Sequence, residues 1–396
     1  MPTRTTAALA AALTLPALTA LAQTKAPVAQ FWMDVATNSM SVPGMGDMES
    51  GMGGLLGGFF GGTKMAGGSP GQWLDTALYT RNKPDGTEGT HAIPPTLKMG
   101  NSLPLLPVVA EGRSSAEREG GVEKPKGKLL FYWGCGEKVR PGQPRVVDFS
   151  KSGPEEWARF MAGRFAPDRG AKAVPGRSVW PNERDRQRVP NGASLAGDHA
   201  VSGEGVPAGL RFALPEADDF MPRIKMSAAG DPKASVGVSW QSLSAAQGYF
   251  LSAMGARGQE EMIIWSSSEQ PDPGWGLMDY LAPAQVKKLI GEKVVLAPSV
   301  QSCAVPAGIF GGAEGAMVRM IAYGPELDLA HPPRPANPKA AWDPEWAVRV
   351  RVKSTGMTVL GMNDQGGGRS SGSGQGDAAA PEKPGLGGVL RGIFGH

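Results

Sequence analysis

The sequence predicts a mainly β protein with long irregular connections, on three observations. Gly 57 and Pro 35 of 396 residues approach a quarter of the chain, a composition that interrupts helices and supplies turns. Most ordered-looking segments alternate apolar and polar residues or form short apolar runs, the patterns of strands. From about residue 234 such segments follow one another at regular spacing, as a β-sandwich demands.

The chain opens with Arg4 and an apolar stretch from Ala7 to Ala22, broken only by threonines and Pro16, that ends on Ala20-Leu21-Ala22. A basic start, a short apolar run and a small-x-small end make a signal peptide over residues 1–22, with mature protein beginning at Gln23. Export to the periplasm, the outer envelope or the medium is therefore expected. The run is shorter than the ~20 apolar residues that cross a bilayer, so no transmembrane span is expected. Net charge is +3 without a sustained single-sign block, which argues against nucleic acid as a partner.

Residues 23–230 read as a β-rich domain. Phe31-Trp32-Met33-Asp34-Val35-Ala36 and Trp73-Leu74-Asp75-Thr76-Ala77-Leu78-Tyr79 share a Trp-x-Asp spacing and predict two paired strands flanking a Gly/Met-rich loop at 38–71. Residues 81–126 are dense in Pro, Gly and charge, and read as linker. Lys128 to Gly136 predicts a buried strand and Arg145 to Phe149 its partner. Pro154 starts a short helix with Trp157, Phe160 and Met161 on one face. Residues 166–208 read as loop, and 209–214 as a strand.

Residues 231–358 read as the sandwich, with strands at 235–240, 248–254, 261–267, 293–297, 300–305, 316–323 and 346–353 and a helix at 283–290. Val238-Ser239-Trp240, Gly248-Tyr249-Phe250-Leu251 and Met317 to Tyr323 resemble the second, third and sixth strands of a fibronectin type III domain over about residues 234–354. That resemblance implies an immunoglobulin-like sandwich with Trp240 between its sheets. It departs from the family at Ala316, where a Tyr is usual, and in the helical insertion. The chain as a whole, with Tyr132-Trp133-Gly134-Cys135-Gly136 and Arg319-Met320-Ile321-Ala322-Tyr323-Gly324, also resembles a group of uncharacterised exported proteobacterial proteins. Neither resemblance brings an activity.

Few residue constellations in the sequence point to chemistry. No zinc-protease, Cys-x-x-Cys or phosphate-loop motif occurs. Gly368-Arg369-Ser370-Ser371-Gly372 matches a nucleophile elbow but lies in Ser/Gly-rich sequence without the strand and helix that motif needs. The four histidines, His91, His199, His331 and His396, fall in loop-like or terminal sequence, and Asp198-His199 reads as a solvated pair. Catalysis is therefore not expected, and no cofactor. Met40, Met45, Met48 and Met52 are soft thioethers at spacings that let a segment wrap Cu(I), which makes copper the alternative cofactor and metal handling the alternative function. Their other reading is adaptable apolar filling. Trp275, Trp342 and Trp346, in or beside Pro/Gly-rich loops, are candidates to stack on sugar rings, in a binding protein or a glycan-active enzyme. Cys135 and Cys303 either form one disulfide or remain buried thiols.

An internal repeat is left over. Gly51-Met52-Gly53-Gly54-Leu55-Leu56-Gly57-Gly58-Phe59-Phe60-Gly61-Gly62 returns as Gly385-Leu386-Gly387-Gly388-Val389-Leu390-Arg391-Gly392-Ile393-Phe394-Gly395-His396, identical at seven of twelve positions. The second copy is an apolar Gly-rich tail joined through a flexible Ser/Gly linker at 359–384. Leu55, Leu56, Phe59 and Phe60, with Leu386, Val389, Leu390, Ile393 and Phe394, form its apolar complement. They are expected to contact another envelope protein, a lipid surface or a second copy of the chain. The sequence thus points to a non-catalytic binding or assembly role in the cell envelope.

Overall fold

A computed structural model describes residues 25–42, 46–47, 69–109, 127–165, 169–258, 260–313, 316–337 and 340–360. The fold is mainly β. Fourteen strands join in one sheet, and three more form a second. Across the large sheet the order is β10 (Arg211–Leu214), β9 (Gly197–Gly203), β4 (Gly89–Ala92), β5 (Ser102–Pro107), β8 (Ser178–Trp180), β3 (Gly71–Thr80), β1 (Ala29–Val42), β17 (Trp346–Leu360), β16 (Ala316–His331), β13 (Gly248–Arg257), β14 (Glu261–Ser266), β6 (Lys128–Trp133) and β7 (Arg145–Asp148). The two-residue β2 (Gly46–Asp47) pairs with the end of β1. The small sheet runs β11 (Met226–Ala229), β12 (Val236–Trp240), β15 (Ser302–Val305).

The central strands follow from their alternation. On β1, Phe31, Met33 and Val35 are buried on one face while Trp32, Asp34 and Ala36 are buried on the other. On β17, Val348, Val350 and Val352 alternate with Arg349, Arg351 and Lys353. The valine face joins the main core, which the small sheet covers with Val236, Val238 and Trp240. Trp240 meets Tyr249 edge-on, with ring centroids 5.5 Å apart. On the other face, helix α2 (Pro283–Gly291) packs Val286 and Leu289 against Phe250, Ile321 and Tyr323. Helix α1 (Pro154–Met161) contributes Phe160 to a cluster with Leu129, Phe131 and Ile264. Both helices start on proline, whose fixed φ suits the first turn, and α1 adds Glu155 and Glu156 where the helix dipole favours negative charge.

Cys135, just past β6, is disulfide-bonded to Cys303 on β15, with Cα atoms 5.1 Å apart. Gly136 donates its amide to Ala304 beside it, so the two sheets are joined covalently and by backbone.

The β1–β3 pair expected from the Trp-x-Asp spacing forms, and its register sets Asp34 opposite Asp75. Other expectations change. Residues 81–126, expected as linker, contain β4 and β5, and residues 166–208, expected as loop, contain β8 and β9. These strands are three to seven residues long and rich in Gly and Pro, too short for their alternation to stand out. Residues 38–42, expected within the Gly/Met loop, belong to β1, and residues 46–47 form β2. At 293–297 there is a single bridge from Leu296 to Tyr249 in place of a strand. The expected boundary at residue 230 is crossed by the large sheet, in which β1 pairs with β17.

Candidate functional site

The residues that stand out chemically lie along the seam between β1 and β17. These strands are parallel, from Ala29 opposite Trp346 to Ser41 opposite Thr358. On the outer face Trp32, Asp34, Ala36, Asn38 and Met40 stand in register with Arg349, Arg351, Lys353, Thr355 and Met357. Strand β16 adds Glu326 opposite Arg351 and Asp328 opposite Arg349.

Asp34 and Arg351, 7% and 6% exposed, form a two-pronged ion pair, with Nε to Oδ1 at 2.7 Å and Nη2 to Oδ2 at 2.6 Å. Oδ2 also accepts the Ala171 amide at 3.0 Å. Burial pulls the Arg351 guanidinium down, but the hydrogen bonds and charge of Asp34 outweigh it and hold the group above its ordinary value. Gly170 lies so close over the pair that a Cβ there would overlap both side chains. Arg169 bridges to Glu326 at 2.6 Å, which straps residues 169–171 across β1, β17 and β16.

Around this centre Lys353 reaches Asp279 at 2.8 Å. Arg351 and Lys353 both lie over the Tyr280 ring, at 4.4 and 4.1 Å from its centroid, and Arg177 lies 3.9 Å over Trp32. Burial, then Asp34 and Asp279, push the Tyr280 hydroxyl well above its ordinary value, so it stays protonated. Burial raises the Glu326 carboxyl although Arg169 and Arg349 pull it down. Two charges taken out of water are stable only when geometry and added hydrogen bonds compensate, as they do at Asp34.

Toward the ends of the strands the seam turns to neutral polar contacts. Thr355 Oγ1 donates to Asn38 at 2.7 Å, and Ser39 donates to the Ile224 carbonyl at 2.9 Å. Chemically the arrangement fixes register, since its carboxylates and cations are committed to one another. Its outcome is placement: Ser41 is in register with Thr358 of β17 on one side and with Asp47 of β2 on the other, so the ends of β1, β2 and β17 lie side by side at one end of the sheet.

Of the residues singled out in the sequence, Leu55, Leu56, Phe59, Phe60, Leu386, Val389, Leu390, Ile393, Phe394, Met45, Met48 and Met52 lie outside the described residues. Met40 is buried on β1 opposite Met357, whose partner on β16 is Arg319. Among the described residues no three His, Cys, Asp or Glu converge on a metal position. The three tryptophans are not brought together as one platform. Trp275 packs beside the α1 cluster. Trp342 donates its indole N–H to the Pro332 carbonyl. Trp346 is 7% exposed and stacked on His331, so its faces are closed to a sugar ring.

The histidines are placed differently from expectation. His91 on β4 and His199 on β9 are buried and hydrogen bonded to each other at 3.0 Å. The flanking glycines and the shortness of both strands hid them in the sequence. Arg351 and Lys353 were missed because alternating cations on a strand read as a solvent face. Arg349, Arg351 and Lys353 at every second position, against two Trp-x-Asp strands, were the available signal. The sequence matches no protein-family model, and no curated protein matches it.

Proposed function

We propose that this chain is an exported envelope protein that acts by binding or assembly, with its two Gly-rich apolar copies as contact elements. The support is one observation, the parallel pairing of β1 with β17. Asp47, which leads toward residues 51–62, pairs with Ser41 of β1, and Ser41 stands opposite Thr358 of β17, whose end at Leu360 leads toward residues 385–396, so both lie at one end of the sheet. Two weak apolar segments issuing from one place act at high effective concentration on a common partner, which raises avidity without any new contact. Among the described residues no helix is long and apolar enough to cross a membrane, so the reading assigns contact to these segments. The likeness of residues 234–354 to a fibronectin type III domain belongs to the same proposal. It is supported by β12 lying in one sheet while β13 and β16 pair in the other.

The test uses three forms of the protein expressed in a bacterial host: full length, truncated after Pro384, and truncated with residues 51–62 also deleted. Envelope fractionation and sedimentation should show association falling stepwise across the three while thermal unfolding of the body stays unchanged. Equal fractionation and sedimentation for all three would overturn the proposal. N-terminal sequencing of the exported form should begin at Gln23, and a protein that retains Met1 would remove export from it.

A further inference from the structure

A second buried polar device lies on the opposite side of β1. Strands β10, β9, β4 and β5 form a flank that reaches the rest of the large sheet through the short pairing of β5 with β8, Leu106 opposite Val179 and Pro107 opposite Ser178. His91 and His199 lie where this flank packs on β1. His91 meets Phe31 of β1 edge-on at 4.9 Å, and His199 stacks on Phe212 of β10 with centroids 5.0 Å apart. Packing is close nearby, since a Cβ on Gly89 would come within 2.9 Å of the Ser202 carbonyl and 3.2 Å of Leu78.

Hydrogen bonding fixes the protons. The Leu195 carbonyl, 2.8 Å from His199 Nε2, can only accept, so Nε2 carries hydrogen and Nδ1 is the acceptor. His91 Nε2 lies 3.0 Å from that Nδ1 and therefore donates. His91 Nδ1 is then a bare lone pair, buried and without a partner among the described residues.

A further proton has no good place. If His91 takes it, Nδ1–H points into an apolar core with no acceptor. If His199 takes it, the bond between the rings reverses and His91 must carry its remaining hydrogen on the same Nδ1. Either way one charge and an unsatisfied N–H at His91 are buried within the pair, whose rings are 0% and 2% exposed. Burial depresses both histidines, and the charge of His199 further opposes a proton on His91. Charged groups on the surrounding elements offer little relief. Glu88 before β4, Asp198 on β9 and Arg211 on β10 are exposed. Asp34 on β1 is on the opposite face with Arg351, and Asp219 is hydrogen bonded to Ser194 and Leu195. The Leu195 carbonyl and then Asp198 favour a proton on His199, but burial outweighs them and both ring nitrogens are already engaged.

We propose that the His91–His199 pair is an acid-released latch that holds the β4–β9–β10 flank against β1 and lets it open as pH falls below that of an ordinary imidazole. Opening exposes both rings, which then take up protons as in the unfolded chain. The open population therefore rises with acidity by up to tenfold per pH unit for each histidine.

Hydrogen exchange of the full chain tests this between pH 7.5 and 5, with rates corrected for intrinsic exchange. Protection at residues 89–92, 197–203 and 211–214 should fall by tenfold to a hundredfold per unit below about pH 6.5. Protection in β16 and β17 should hold. In the double variant His91→Phe/His199→Phe the flank should lose this pH dependence. Should that variant fail to fold, ring-nitrogen NMR of the wild type decides instead: the latch requires neutral Nε2–H tautomers in the protected flank and protonation that coincides with loss of protection. Flank protection that tracks β16 and β17 across the range, a Phe pair with the wild-type profile, or imidazolium rings in a still-protected flank would each overturn the proposal.

Discussion

Strand β1 carries two buried polar pairs on its two faces, and they are opposites. Outside, Asp34 and Arg351 form a two-pronged ion pair, and Asp34 accepts three hydrogen bonds from Arg351 and Ala171. Inside, against Phe31, His91 and His199 are neutral, and their relay ends at a nitrogen with nothing to bond. Similar burial therefore has two consequences. A compensated ion pair is costly to break on one side, because the partner left behind is a buried, unpaired charge. A neutral relay is stable only while no proton arrives.

The largest effect should come from breaking the ion pair on one side only. Asp34→Ala leaves Arg351 buried and unpaired and should cost about 3–5 kcal/mol in denaturant unfolding. The double change Asp34→Ala/Arg351→Met should recover much of that, because no uncompensated charge remains. A double variant no more stable than the single one would make the pair's value something other than charge compensation.

Next comes pH. Both histidines have folded values below their ordinary ones, so the unfolded chain binds more protons as acidity rises. Their contribution is complete above about pH 6.5 and is lost as pH falls toward the folded values, by up to about 1.4 kcal/mol per unit for each ring. Arg351, held above its ordinary value, stays charged through this range and adds no slope. Urea unfolding at pH 7.5, 6.0 and 5.0 gives the slope, and a flat profile would erase the contrast between the two pairs.

A smaller effect is expected at Gly170, where a methyl group must push the strap away from the ion pair. Gly170→Ala should cost about 1–3 kcal/mol in a thermal melt. The smallest is the exposed Lys25–Asp343 bridge, 2.7 Å long but in solvent. Lys25→Ala should change stability by less than about 1 kcal/mol, and a larger loss would mean that burial matters less than the comparison supposes.

The legible parts of the molecule were those with local periodicity. Phe31 to Ala36, Trp73 to Tyr79 and Gly248 to Met254 alternate or run apolar long enough to mark β1, β3 and β13, and proline marked both helices. Asp34 and Asp75 drew notice as a repeated spacing. Their partner Arg351 did not, because 317 positions separate it from Asp34 and nothing local ties them. His91 sits in four residues, Gly-Thr-His-Ala, that give no period at all. Sites made where distant short strands meet are written in the sequence only as residue types, and their meeting is decided by the whole sheet.

The β1–β17 pairing also bears on how the chain reaches this fold. Strand β1 can pair early with β3, but its other edge stays open until residues 346–360 exist, the last described strand of the chain. Such a topology has high contact order: chain-closure entropy must be overcome before the central contacts repay it, which makes folding slow. The central strand β1 therefore cannot be closed on both edges until β17, the last described strand, has been made.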